Sequence, residues 1–303
     1  MSTPILLDCD PGHDDAIAML LALGSSELEL RGITTVAGNQ TLEKTTANAI
    51  RVLELAGADI PVAAGAERPL VRAPYVAADV HGETGLDGPD LPPPRGEPVA
   101  DHAVDFLAER VAGTTLVATG PLTNVALLLA RYPDTRPERL ALMGGAIAEG
   151  NVTPAAEFNI WADPEAAARV FASDLDVTMV GLDVTHQALV TAAHADRLRA
   201  NGRIGGVVAD LLGFYGAFHK QVYDFDGSPI HDAVAVAVVA RPELLELREL
   251  NVEIDCESTL CRGRTVVDVW GRSGRPPNAK VAVGINADGF IELLLERLAT
   301  LDR

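Results

Sequence analysis

An apolar run that ends in acids and reopens as a helix constrains this chain more than any other feature. Pro4-Ile5-Leu6-Leu7 is followed by Asp8-Cys9-Asp10-Pro11-Gly12-His13-Asp14-Asp15, then by Ala16-Ile17-Ala18-Met19-Leu20-Leu21-Ala22-Leu23. The first run reads as a buried strand, Pro11-Gly12 as a turn, and the last run as a helix with an acidic first turn. Four carboxylates packed so closely repel one another unless something positive is held between them. Asp14 and Asp15 alone admit a plainer reading, capping of the helix at its positive end, worth about 0.5–1 kcal/mol. Capping does not extend to Asp8 and Asp10, whose alternate strand positions share a face. Carboxylate oxygens gathered in this way point to a hard cation.

The rest of the chain repeats the strand-then-helix rhythm. Leu28 to Val36 reads as a strand ending at Ala37-Gly38-Asn39-Gln40, and 41–55 has helical spacing at Leu42, Ala49, Ile50 and Leu53. Ile60-Pro61-Val62-Ala63, Thr115 to Ala118, Leu140 to Met143 and Val177 to Thr185 read as further strands, with helices expected over 103–111 and 211–223. Asp163 before Pro164 is an N-cap followed by an N1 proline, which makes 151–160 the loop ahead of that helix. The segments 262–268 and 277–283 read as edge strands, before a last helix over 289–298. This pattern predicts an α/β fold with a mostly parallel, Rossmann-like central sheet flanked by helices, and no repeat or linker divides 1–303, so one domain is expected. Such sheets bind ligands beyond the carboxyl ends of their strands, which puts Asp10 and Asn39 near each other.

The bulk numbers act as filters. The 303 residues carry a net charge of −19, which argues against nucleic acid or an anionic membrane and favours a small neutral ligand. Three cysteines lack zinc-type spacing and suit a reducing compartment. Asp8 interrupts the first apolar run too early for a signal peptide, and no uncharged stretch reaches the ~18 residues of a membrane span. A cytoplasmic protein is expected.

Other polar segments are ambiguous on their own. The Pro- and Gly-rich stretch from Glu67 to Pro98 contains His81-Gly82-Glu83-Thr84-Gly85-Leu86-Asp87-Gly88, and a loop of this length is functional or disordered. Thr119-Gly120-Pro121 reads as a turn at a strand end, and His231-Asp232 as a helix start. Asn151, Glu157 and Asn159 offer the donors and acceptors a polyhydroxylated ligand needs. Helical core packing accounts for Phe214 and Phe218, and Tyr223 is placed to face a ligand.

Together these motifs resemble one family along essentially the whole chain. Asp8 to Ala16 closely resembles the N-terminal signature of the calcium-dependent nucleoside hydrolases, usually written DTDPGxDDA, with Cys9 in place of the usual Thr. The segments HGETGLDG at 81–88, TGPLTN at 119–124, GNVTPAAEFNI at 150–160, GLDVTH at 181–186, HD at 231–232 and RGRTVVD at 262–268 are similar to the same family. GLDVTH reads as structural. The resemblance implies the nucleoside hydrolase fold, hydrolysis of the N-ribosidic bond of ribonucleosides, and Ca²⁺ held by Asp10, Asp15, Asp232 and the Thr119 main-chain carbonyl. It further implies Asp10 as general base, Asn39 orienting the water, and His231 or His81 assisting departure of the base. Asp14 and Asn159 would hold the ring hydroxyls, Asn151 and Glu157 the 5′-hydroxyl, with Met143, Phe158 and Tyr223 completing the substrate site. The segment at 150–160 is particularly similar to members linked to pyrimidine ribonucleosides, which leaves the preferred base, purine or pyrimidine, open, and a homo-oligomer, dimer or tetramer, is implied. Two rivals come from other classes. An aspartate-nucleophile phosphatase also places Asp-x-Asp after its first strand, and a non-catalytic calcium- and ribose-binding protein would bind nucleoside without cleaving it.

Overall fold

The computed structural model describes residues 2–302. Eight strands form one sheet in the order Val62–Ala64, Leu28–Thr35, Thr3–Cys9, Thr115–Ala118, Arg139–Met143, Val177–Val180, Ala279–Ile285, Leu245–Leu250. Neighbours run parallel throughout except the last pair, where Leu245–Leu250 is an antiparallel edge. The chain winds outward from Thr3–Cys9 to one side, then returns to build the other. The reversal of strand order therefore falls between Thr3–Cys9 and Thr115–Ala118, and a crevice opens beyond their carboxyl ends. Asp10, the segment after Thr35 and Thr119-Gly120-Pro121 all emerge there.

Burial on both faces explains the first apolar run. Ile5, Leu6 and Leu7 have no solvent exposure. Leu6 packs with Phe106, Leu107, Val125 and Val170 on one face, whereas Ile5 and Leu7 join Ile17, Leu21, Leu53 and Phe290 on the other. A parallel strand covered on both sides reads as continuously apolar rather than alternating. Two helices, His13–Gly24 and His231–Ala240, are buried almost along their whole lengths and pack against each other. Helices apolar all round belong in such an interior. Their first turns carry Asp14 and Asp15 on one helix and Asp232 on the other, where the helix dipole favours anions.

Several sequence expectations need correction. Ala279–Ile285 is not an edge strand, because it lies between Val177–Val180 and Leu245–Leu250. Its Val281 and Ala282 are buried, while Lys280 reaches out to pair with Asp176 at 2.8 Å, and that lysine hides the burial from a reading of pattern. Thr265–Val267 pairs with Val252–Ile254 in a separate two-stranded sheet. The strand expected over 177–185 stops at Val180, and Leu182–Thr185 is a helical turn. A short helix, Phe158–Ala162, interrupts the loop expected over 151–160. The last helix begins at Ala287, its Asn286 side chain accepting the Gly289 N–H at 3.0 Å.

Between Glu67 and Pro98 only Ala78–His81 is helical, yet the segment is tied down. Leu70 N–H donates to Asp163 at 2.9 Å, the Gln40 amide to the Gly82 carbonyl at 2.8 Å, and the Asn48 amide to the Thr84 carbonyl at 2.8 Å. The loop is thereby fixed over the crevice. His81 comes with it.

Candidate active site

Asp10 sits fully buried just past the central strand. Its Oδ2 accepts the Asn39 main-chain N–H at 2.6 Å, and its Oδ1 is buried with no hydrogen-bond partner. Glycines at two neighbouring strand ends make room for it. A Cβ on Gly38 would lie 2.1 Å from Oδ2, and one on Gly120 2.6 Å from Oδ1. Asp15 is the opposite case, with both oxygens engaged. Oδ1 accepts the Thr119 hydroxyl at 2.8 Å and the Asp10 N–H at 3.3 Å; Oδ2 accepts the Asn39 amide at 2.9 Å and the Gly12 N–H at 3.0 Å. Asp15 does cap its helix, but capping is only part of its setting. Ligand-type oxygens of Asp14, Asp15 and Asp232 all lie within 4.8 Å of one another.

The electrostatics follow from that crowding. Burial, and then the charge of Asp15, pushes Asp14 up to about 7 and Asp10 well above the usual carboxylate range. Asp232 is raised well above that range by burial and by Asp14 and Asp15. Acids this close in a dry site are mutually destabilising when ionised. A donor set made only of oxygens, with one Asp10 oxygen left unpartnered, fits a hard divalent cation.

Above the acids lies a cavity of about 180 Å³. Its amide-bearing wall is already organised. The Asn159 amide donates to the Thr119 carbonyl at 2.7 Å and to the Met143 carbonyl at 3.1 Å, which leaves Asn159 Oδ1 as the free acceptor. Glu157 caps the Phe158–Ala162 helix, accepting the N–H of Asn159 at 2.9 Å and of Ile160 at 3.2 Å, and it also takes the Gly145 N–H at 2.8 Å. Burial raises its carboxyl to about 7. Asn151 Oδ1 accepts the Phe158 N–H at 2.9 Å, and the Tyr223 hydroxyl donates to the Asn151 carbonyl at 3.3 Å.

The opposite wall is rich in histidine. His231 Nδ1 lies 2.8 Å from the Thr185 hydroxyl, and His219 Nδ1 lies 2.9 Å from the Tyr215 carbonyl, to which it must donate. Burial lowers His81 and His231 well below the usual range and His219 to about 4. These rings are therefore neutral near pH 7.

The structure brings together most of the residues singled out in the sequence. Asp14, Asn39, His81, Thr119, Met143, Asn151, Glu157, Phe158, Asn159, Tyr223, His231 and Asp232 all line the one cavity, with Asp10 and Asp15 packed behind its acidic end. Asp8 is the exception. Its Oδ1 accepts from Thr34 at 2.6 Å and Asn124 at 2.8 Å, its Oδ2 is buried without a partner, and it is not one of the clustered acids Asp14, Asp15 and Asp232. The strand ends at Cys9, so the alternation that was to align Asp8 with Asp10 no longer holds one residue later. GLDVTH is more than structural: Thr185 bonds His231, and His186 lines the cavity. Phe214 and Phe218 are not core residues. Phe214 is 39% exposed and Phe218 lines the cavity, while Tyr215 is the buried member of the helix. Tyr75, Asp79, Tyr215 and His219 line the cavity unforeseen. A signal for two of them was present, since Tyr215 and His219 are spaced i,i+4 on one helix face.

Clustered acids under an amide-lined cavity, at the switch point of a doubly wound sheet, define an α/β enzyme built for a small polar molecule. Residues 5–292 match the family described as inosine-uridine preferring nucleoside hydrolase. The chain belongs to that family and is a glycosidase acting on the N-glycosyl bond of ribonucleosides. It is 50% identical over 307 residues to the pyrimidine-specific ribonucleoside hydrolase RihA of Salmonella typhimurium, covering 98% of this chain and 99% of that one. The enzyme of the same description from Shewanella sp. strain ANA-3 is also 50% identical, over 99% and 97% of the two chains. Among solved structures, a purine-preferring ribonucleoside hydrolase from Gardnerella vaginalis aligns with a TM-score of 0.93 at 34% identity, with 99% of each chain covered. A plant nucleoside hydrolase aligns with a TM-score of 0.91, also at 34% identity and 99% coverage of each. Family membership decides against the phosphatase and the non-catalytic binding protein.

Proposed function

We propose that this enzyme is calcium-dependent, prefers pyrimidine ribonucleosides and releases free base and ribose with Asp10 as general base. The observation that carries this is the unpartnered, fully buried Asp10 Oδ1 beside the crowded acids Asp14, Asp15 and Asp232. Asp10, Asp15, Asp232 and the Thr119 main-chain carbonyl would hold the ion, an all-oxygen set that suits Ca²⁺ better than the tight octahedron of Mg²⁺. When bound, the cation would neutralise the carboxylates, acidify a water and take up the ribose diol.

The chain's own groups divide the remaining work. Asp10 removes the proton of the attacking water through Oδ1, because Oδ2 is held by the Asn39 N–H. The Asn39 amide is occupied by the Asp10 carbonyl at 3.2 Å and by Asp15, which leaves its carbonyl oxygen to orient that water. Asp14 and the free Oδ1 of Asn159 accept from the ring hydroxyls. Asn151 and Glu157 hold the 5′-hydroxyl, while Met143, Phe158 and Tyr223 give the substrate its apolar and aromatic contacts. The transition state resembles an oxocarbenium ion, and His231 and His81 assist departure of the base. The pyrimidine preference is supported by the two relatives at 50% identity, both named pyrimidine-specific. A cytoplasmic homo-oligomer, dimer or tetramer, serving nucleoside salvage or catabolism completes the proposal. The free cysteines fit a reducing compartment, and no helix among the described residues is long and apolar enough to cross a membrane.

Chelation is expected to abolish ribose release from uridine, with Ca²⁺ but not Mg²⁺ restoring it and uridine outpacing inosine in the restored enzyme. A reducing-sugar assay reads all three results. Full turnover after chelation would remove the cation from the proposal, and a faster rate on inosine would remove the pyrimidine preference. Leaving-group assistance is expected to separate from ribose activation. His231→Ala and His81→Ala should each slow uridine hydrolysis by about 10²-fold or more, and p-nitrophenyl riboside, whose leaving group needs no proton, far less. Equal losses on the two substrates would show that these histidines position the sugar instead.

A further inference from the structure

We propose that Thr185 is a positioning residue that sets the tautomer of His231. Its hydroxyl donates to Nδ1, so the ring carries its own hydrogen on Nε2, the nitrogen left for the cavity. This rests on the reading of His231 as a group that assists departure of the base.

The direction of the bond follows from what Thr185 can reach. Thr185 has no solvent exposure. Among the described residues its hydroxyl has one hydrogen-bond partner, His231 Nδ1 at 2.8 Å. A hydroxyl carries one hydrogen and two lone pairs. If Nδ1 held the ring hydrogen, the hydroxyl would accept it, and its own hydrogen would be buried with nothing to receive it. A buried donor left unpaired bears the full cost of its desolvation. The arrangement without an orphan has Thr185 donating and Nδ1 accepting. In a neutral imidazole the hydrogen then sits on Nε2. Nε2 has no partner among the described residues and is not sealed from solvent, and His231 lines the cavity.

The fold holds the two side chains at this distance. Leu182–Thr185 is one helical turn, in which the Thr185 N–H donates to the Gly181 carbonyl at 3.2 Å. The Thr185 carbonyl accepts the Ala188 N–H at 3.1 Å, and the Ala188 carbonyl accepts the Ile230 N–H at 3.0 Å. Leu189–Val190 and Ser228–Pro229 then pair antiparallel. Main-chain bonds therefore stitch the segment of the threonine to that of the histidine. His186 packs edge-on against the His231 ring, centroids 5.5 Å apart, and resists its turning. In the reaction the electron pair of the C1′–N bond passes to the base. The Nε2–H donates a hydrogen bond to the base as that charge develops, and the ring keeps its proton. The released base takes a proton from solvent, and Asp10 gives to solvent the one it removed from water. With the hydrogen on Nδ1 instead, Nε2 would turn a lone pair toward a base that is gaining charge.

The test compares Thr185→Val, which keeps the branched shape without the donor, with Thr185→Ser, which keeps the hydroxyl. Thr185→Val is expected to lower kcat on uridine by about 10- to 10²-fold, no more than loss of the ring itself. KM and the rate on p-nitrophenyl riboside should change little. Thr185→Ser should recover most of the loss, and Thr185→Val/His231→Ala should be no slower than His231→Ala, since both act through one ring. Nitrogen NMR of the full chain labelled at histidine reads the tautomer, the His231 signals being those lost in His231→Ala. The wild type should carry the hydrogen on Nε2, and Thr185→Val should gain the Nδ1 form. Hydrogen on Nδ1 in the wild type, equal losses of Thr185→Val on the two substrates, or no recovery in Thr185→Ser would overturn the proposal. If His231→Ala shows the selective loss on uridine and Thr185→Val does not, the proposal alone falls. If His231→Ala slows both substrates equally, the role of His231 falls and takes this proposal with it.

Discussion

Asp10→Asn is expected to lower kcat on uridine by at least about 10²-fold, and to do so with calcium present in excess. General-base loss typically costs 10²–10⁴-fold, and in the proposed role an isosteric amide would not substitute. The Asn39 N–H binds one carboxylate oxygen of Asp10, so an amide at this position would turn its carbonyl oxygen toward that donor. Its NH₂ would then occupy the place of the unpartnered Oδ1, presenting two hydrogens where a proton has to be accepted. The same substitution should leave the metal-free protein at least as stable as the wild type. Burial raises the folded-state pKa of Asp10 above its unfolded value, so holding this group ionised near neutral pH costs folding free energy. Asn removes that charge and keeps the hydrogen bond from Asn39. Thermal unfolding in chelator and steady-state kinetics in calcium together separate catalysis from folding. Retention of more than about a hundredth of wild-type kcat would remove Asp10 from the role of base.

How far the sequence could be read depended on what each signal needed. The acid turn was legible because a buried strand cannot end in Asp-x-Asp, nor a buried helix begin in Asp-Asp, without a reason local to those residues. Asp10, Asn39 and Thr119 could be placed together because a doubly wound sheet delivers its strand ends to one crevice. The histidine wall was readable only in part. His81 and His231 stand in motifs that the sequence displays, whereas His186 and His219 come from two other segments, and only packing along Arg203–Tyr223 brings Tyr215 and His219 to the cavity. Aromatic residues along an amphipathic helix look alike until the helix is rotated onto its neighbour. The pattern that marks Phe214 and Phe218 as core marks Tyr215 equally well, and the structure buries Tyr215. Asp8 shows the converse limit. Its place in the motif matches, but its carboxylate ties Thr34 on the adjacent strand to Asn124, a task that no spacing rule distinguishes from metal binding.

Uridine is expected to exceed 2′-deoxyuridine by at least about 10²-fold in kcat/KM, or about 2.7 kcal/mol. Asp14, Asp15 and Asp232 cluster at the cavity. In the proposed arrangement a cation held by Asp10, Asp15, Asp232 and the Thr119 carbonyl would receive the ribose diol, while Asp14 accepts from one of its hydroxyls. A deoxyriboside leaves one of the cation's positions unfilled and deprives a buried carboxylate of its donor. Sites built around a hydroxyl can reject the analogue lacking it by about 10⁴-fold, because their polar groups are left unpaired. Two effects reduce that figure here. Deoxyribosides break more readily without an enzyme, and water can fill the vacated position in part. Both substrates must be assayed at saturating calcium, so that loss of the ion does not mimic discrimination. Asp14→Ala offers an internal check, since it should slow uridine more than 2′-deoxyuridine and narrow the ratio. Comparable rates on the two nucleosides in the wild-type enzyme would show that the diol does not reach the acid cluster, and the division of labour among Asp10, Asp14, Asp15 and Asp232 would have to be abandoned.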